Sequence, residues 1–175
     1  TAAAGSGIVF GANGNILRWS INGYPQYWPV VNSMALDAAI EAIVAYTGHT
    51  VIFTGSSLYS IAGNNDDALQ LERMNVAHYV KYGWGQSVVR TPYGTFFVAK
   101  EGICVFDGSS TQCISADVLP STYFDSLTVR KAVYYQDKYY VYHTTGYVQV
   151  DLRDGLAGRR ITGSTSLGTD LLAAG

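Results

Sequence analysis

The chain has 175 residues, of which 48% are apolar and 14% charged, with a formal net charge of −2. That length and apolar content are enough for one domain with a real core and exclude a disordered chain, while the charge leaves no basic footprint for gripping nucleic acid. No stretch approaches the roughly 18 consecutive apolar residues of a membrane span, no charged-then-apolar leader opens the chain, and 14 tyrosines with 19 glycines suit many strands joined by tight turns.

Taken in order, Thr1-Ala2-Ala3-Ala4-Gly5 reads as a trimmed end. Residues 7–10 and 16–20 are apolar runs around Gly11-Ala12-Asn13-Gly14, the first hairpin. Gly23-Tyr24-Pro25-Gln26-Tyr27-Trp28-Pro29 carries two prolines, which rule out a central strand and leave an ordered aromatic loop. Residues 33–43, SMALDAAIEAI, are alanine-rich with Ser33 as a candidate cap. We expect at most one helical turn there, then strand from about Glu41.

A second unit runs through 50–54, 57–62 and 69–75, with Asn64-Asn65-Asp66-Asp67 as its outer turn and 78–85 as an aromatic connection. The third comprises 86–91, 95–99, 103–106 and 111–114, with tight turns at Lys100-Glu101-Gly102 and Asp107-Gly108-Ser109-Ser110. Residues 117–127 read as a linker with at most one helical turn. The last unit is 129–136, 138–143 and 146–152. Beyond Arg160 the chain is rich in Gly, Ser and Thr and is expected to be extended or flexible.

These units repeat. Ile16, Leu58, Ile103 and Tyr147 align at spacings of 42, 45 and 44 residues, inside the roughly 40–50 residues of a propeller blade. The expected fold is therefore all-β: consecutive antiparallel meanders, propeller-like, about four blade-like units over residues 1–160 and an extended or flexible segment over 161–175. Closure of four units within the chain stays open.

Cys104 and Cys113 are the only cysteines. A turn at residues 107–110 sets Phe106 opposite Thr111 and Cys104 opposite Cys113, close enough to bridge. The simpler reading is two small buried hydrophobes in a reducing compartment.

Site chemistry is sparse, and we read the chain as a non-enzyme without cofactor or metal. His49, His78 and His143 are far apart and suit solvent-facing or hydrogen-bonding roles. There is no Gly-x-Ser-x-Gly elbow, and residues 64–67 lack the spaced acids of a calcium loop. Ser20, Asn22 and Trp28 resemble the Asp-box of sialidase propellers, with Asn22 in the aspartate position and the tryptophan late. That motivates one reading as a carbohydrate- or receptor-binding propeller.

A broader resemblance covers most of residues 8–155. Ser20, Gly23, Pro25, Trp28 and Pro29, then Ile40, Ala42, Ile43, Gly48, Val51-Ile52-Phe53-Thr54 and residues 58–63 are similar to runs in the nozzle, or tail-tube-B, family of short-tailed phages. Ser87-Val88-Val89, Gly94, Phe96-Phe97, residues 102–108, residues 139–142 and Val150-Asp151-Leu152-Arg153 continue it. Family members are longer, so the resemblance implies a piece, a processed domain or a small relative. It also implies a structural virion component: a homo-oligomeric ring in the tail, assembled in the host cytoplasm, bound to other tail and connector proteins, through which DNA passes without specific binding. Tyr24, Tyr27, Trp28 and Trp84 are the candidate interface anchors.

Overall fold

The computed structural model describes residues 2–3, 7–63, 67–165 and 170–173. Among these the chain is all-β, with four antiparallel sheets, no α-helix and one 3-10 turn at Gly85–Ser87. It divides into two compact units, Thr1–Gly83 and Trp84–Gly175. The first unit holds one sheet of β1 (Ala2–Ala3), β2 (Val9–Asn13), β3 (Ile16–Trp19) and β4 (Ser33–Ala35). Its second sheet is β5 (Ile40–Ala45), β6 (His49–Thr54), β7 (Leu58–Ala62) and β8 (Gln70–Met74). The second unit holds the third sheet, β9 (Val89–Thr91), β10 (Gly94–Ala99), β11 (Gly102–Phe106) and β12 (Thr111–Cys113). The fourth sheet is β13 (Val129–Tyr135), β14 (Lys138–His143), β15 (Gly146–Asp151), β16 (Arg160–Thr165) and β17 (Asp170–Ala173). Every strand pairs with its neighbour in sequence, so each sheet is a meander.

The repeat corresponds to one sheet. Ile16, Leu58, Ile103 and Tyr147 all lie in the third strand of their own sheet, namely β3, β7, β11 and β15. The hairpins β6–β7, β10–β11 and β14–β15 are equivalent central ribbons, closing at Phe53↔Leu58, Ala99↔Gly102 and His143↔Gly146.

Three local details refine or differ from the expectations. Residues 33–43 contain no helix. Ser33 begins β4, its hydroxyl donates to the Val30 carbonyl at 3.0 Å, and the alanine-rich run becomes β5 by pairing with β6. Pairing overrides the helical preference of alanine because it satisfies a whole ladder at once. The first hairpin turn is tighter than Gly11-Ala12-Asn13-Gly14: β2 continues through Asn13, which faces Ile16 across Gly14-Asn15, with Gly14 at φ 60°. In the C-terminal segment, β16 pairs along β15 from Asp151↔Arg160 to Gly146↔Thr165, and β17 pairs with β16. Of the outer turn at residues 64–67, only Asp67 falls within the described residues.

The first unit buries Ile8, Phe10, Leu17, Trp19 and Leu36 against Ile52, Tyr59 and Ile61 of the second sheet. In the second unit Tyr139 of β14 lies over Phe96 of β10, ring centroids 5.1 Å apart, and its hydroxyl donates to the Ser87 carbonyl at 2.6 Å. Three fully buried serines complete ladders at strand ends. Val9 N donates to Ser20 Oγ at 3.0 Å, Val98 N to Ser87 Oγ at 3.0 Å and Ile103 N to Ser115 Oγ at 2.9 Å. Each hydroxyl takes the place of a carbonyl that a neighbouring strand no longer supplies.

Candidate interaction site

The β3–β4 connection, residues 20–32, is the most exposed apolar segment of the first unit, yet it is tightly bonded. Ile21 N donates to Tyr27 O, Tyr24 N to Ile21 O and Tyr27 N to Tyr24 O, each at 3.0 Å. Asn32 N donates to Pro29 O at 3.1 Å, and Trp19 N to Asn32 O at 3.1 Å returns the loop to β3. Trp28 anchors the middle: its indole Nε1 donates to Pro25 O at 2.9 Å. The indole also covers Gly11 of β2, where a Cβ would lie 3.3 Å from Trp28 Cη2. A Cβ there would press on the indole and require it to give by a few tenths of an ångström.

Held this way, the loop presents Tyr24 at 60% exposure, Tyr27 at 59%, Val30 at 81% and Val31 at 84%. Two adjacent valines so open to water on a fixed scaffold are unfavourable unless something covers them. The four expected anchors therefore separate. Tyr24 and Tyr27 are exposed, and Trp28 is half-buried beneath the loop. Trp84 belongs with the core of the second unit: it is buried, edge-on to Phe124 at 6.0 Å. Val30 and Val31 escaped the sequence reading because hydrophobic residues next to a proline read as ordinary loop packing. Their pairing after Pro29 was the available signal.

A second surface lies on the fourth sheet. Tyr140 and Tyr142 alternate with buried Tyr139 and Val141 along β14, and Tyr147 faces Tyr142 from β15. Their ring centroids are 6.0 to 6.3 Å apart, with Tyr140 and Tyr142 within 16° of parallel.

The titratable groups are structural in their surroundings. His143 is buried edge-on to Tyr123 at 6.3 Å, its Nδ1 3.2 Å from Thr145 Oγ1, and burial holds its pKa below the usual imidazole value. His49 stacks on Tyr46 at 5.1 Å, and His78 is half-buried elsewhere in the first unit. Asp37 accepts from Ser57 Oγ at 2.7 Å and faces Arg73 at 3.7 Å. Partial burial would raise its pKa, but these partners and Tyr59 hold it below the usual carboxylate value. Asp107 accepts from Ser109 N and Ser110 N, both at 2.8 Å, which lowers its pKa to about 2. That is an Asx turn fixing the β11–β12 hairpin. Among the described residues no group of three or more His, Cys, Asp or Glu side chains is placed to hold a metal ion, and no helix is long and apolar enough to cross a membrane.

No protein-family model matches the chain, and no curated protein matches its sequence.

Proposed function

We propose that this chain is a structural component of a bacteriophage tail, a ring-forming nozzle- or hub-type protein whose task is to hold neighbours rather than to perform chemistry. The observation that carries this reading is the rigid β3–β4 loop with Tyr24, Tyr27, Val30 and Val31 exposed together. Fixed exposed aromatic and aliphatic side chains are what a protein interface uses as anchors, since little entropy is lost when they dock. The sequence resemblance points the same way. On this reading the partners are further copies of the chain and other tail or connector proteins, the setting is the virion tail after assembly in the host cytoplasm, and no catalytic step is involved.

Sedimentation velocity and electron microscopy of the purified chain, alone and with tail proteins, test the proposal. Closed oligomers or a stable tail complex are expected. Val30→Asp with Val31→Asp should weaken that association by about tenfold or more while the monomer stays folded, because both side chains already face water. Monomers that never associate under any of these conditions would remove the reading.

A second reading, a carbohydrate- or receptor-binding module, is favoured by the Tyr140, Tyr142 and Tyr147 cluster. Tyr140 and Tyr142, within 16° of parallel on a sheet face, offer a surface for the C–H face of a sugar. A glycan array at millimolar-sensitive density, compared between the wild type and Tyr142→Ala, discriminates the two readings. A signal that Tyr142→Ala abolishes supports the module, and no signal at all rejects it.

A further inference from the structure

Cys104 in β11 and Cys113 in β12 are register partners, and neither is in a disulfide. The ladder on either side defines what kind of pair they make. Ile114 N donates to Ile103 O at 2.8 Å, and Asp107 N donates to Ser110 O at 3.2 Å. Pairs alternate along an antiparallel ladder, so 103 with 114 and 107 with 110 are hydrogen-bonded pairs, and 104 with 113 is a non-hydrogen-bonded one. In that kind of pair the Cα atoms are about 4.5 Å apart and the side chains lean together, within the span of a disulfide. The Cys104 thiol donates to Gly102 O at 3.9 Å and the Cys113 thiol to Glu101 O at 3.8 Å. Cys104 is fully buried and Cys113 is half-exposed, so only one of them meets a reagent from solvent.

We propose that Cys104 and Cys113 form a thiol–disulfide site that closes into a cross-strand disulfide when the chain meets a low-molecular-weight disulfide such as oxidised glutathione. Cys113, as its thiolate, attacks one sulfur of the reagent. The reagent's S–S bond breaks, a mixed disulfide forms on Cys113, and the departing thiolate takes a proton from water. Cys104 then gives its proton to solvent and attacks Cys113 Sγ, expelling the second small thiolate, which is protonated in turn. Two protein thiols and one small disulfide become one protein disulfide and two small thiols, so electrons and protons balance.

The order of attack follows from the surroundings. Cys104 is closed to solvent where Cys113 is not, and the neighbouring Cys113 and then burial raise the Cys104 pKa, so Cys104 is the poorer initial nucleophile. The structural effect falls on β12, a three-residue edge strand that the bridge would tie to β11.

The test uses the full chain treated with excess oxidised glutathione, quenched in acid, then read by intact mass and by thiol titration under denaturing conditions. Two titratable thiols should fall to none, with a mass loss of about 2 Da and no adduct, the product should stay monomeric with respect to disulfides on a non-reducing gel, and dithiothreitol should restore both thiols. Cys104→Ala should instead retain one glutathione on Cys113. Persistence of both thiols, a stable adduct on the wild type, or bridging only between chains would each overturn the proposal. The wild-type mass decides even if the variant fails to fold.

Discussion

At the scale of single residues, much depends on buried polar atoms that each have one partner. Ser115 is the clearest case. Its hydroxyl accepts from Ile103 N at 2.9 Å in a fully buried site, and Gly102, at φ 140°, passes so close that a Cβ would collide with Ser115 Oγ. Ser115→Ala should cost about 1–3 kcal/mol, the penalty for orphaning a buried amide. Gly102→Ala should cost more than that, because it adds left-handed backbone strain to the collision. Denaturant midpoints of the two variants check the order, and a Ser115→Ala chain as stable as wild type would show that the amide finds another partner. His143 gives a pH signature. Burial lowers its pKa from 6.5, so the unfolded chain binds the proton more readily and protonation favours unfolding. Stability should hold above about pH 7 and decline as pH falls through the ordinary imidazole range toward the depressed native value. Asp107 contributes separately: its pKa of about 2 lies below the usual 3.8, so its contribution is present above that value and fades only as pH drops from 3.8 toward 2. His143→Gln should flatten the profile between pH 7 and 5 and leave the acid limb in place. Parallel profiles for variant and wild type across pH 7 to 5 would rule out a buried neutral imidazole.

At the scale of elements, what could be read in advance followed from where the signal was local. The hairpins at residues 100–102 and 107–110 were legible because turn residues sit between β-branched and aromatic runs, and that turn length alone placed Cys104 opposite Cys113, as the register has it. The strand from about Glu41 was legible from the repeat register, and β5 runs Ile40–Ala45. The short strand β4 at Ser33–Ala35 was not, since alanine favours helix in isolation and only pairing with β3 holds it extended. The place of the β13–β14 turn was legible but its conformation was not: Gln136 and Asp137 both take positive φ, 48° and 57°, where glycine or asparagine would be the usual cue. Tyr134 compensates by donating its hydroxyl to Asp137 Oδ1 at 2.8 Å. Of the candidate site, the exposed tyrosines of the β3–β4 loop were readable from their prolines. The burial of Trp84 was not, since its contact with Phe124 spans 40 residues of sequence. Replacing Gln136-Asp137 with Asn-Gly should stabilise the hairpin by about 0.5–1 kcal/mol if strain at those two positions outweighs the Tyr134 bond. A lower melting temperature for that variant would mean that the hydroxyl contact dominates.

At the scale of the whole molecule, the central strands of the four sheets are not equally covered. In β6, residues 50–54 are buried without a break, as are 95–99 in β10 and all of β11. In β3 and β14, by contrast, buried residues alternate with half-buried or exposed ones. Continuous burial means that both faces of β6, β10 and β11 are covered, while alternation means that β3 and β14 each keep a face open to water. That distinction was present in the sequence as unbroken apolar runs, IFT and FFVA, against the Tyr-Tyr-Val-Tyr-His alternation. It bears on dynamics because an amide exchanges only when its strand opens, and opening a strand packed on both sides exposes roughly twice the apolar area. Hydrogen exchange should therefore rank the amides of β6, β10 and β11 as the slowest, those of β14 and β15 as intermediate, and those of the edge strands β4, β8 and β12 as the fastest. Oxidising Cys104 and Cys113 should move β12 alone toward the slow class, since the bridge ties that edge and no other. If β14 proved as protected as β10 in the isolated chain, its tyrosine face would have to be covered by a second molecule in solution, and sedimentation of the same sample would reveal that association.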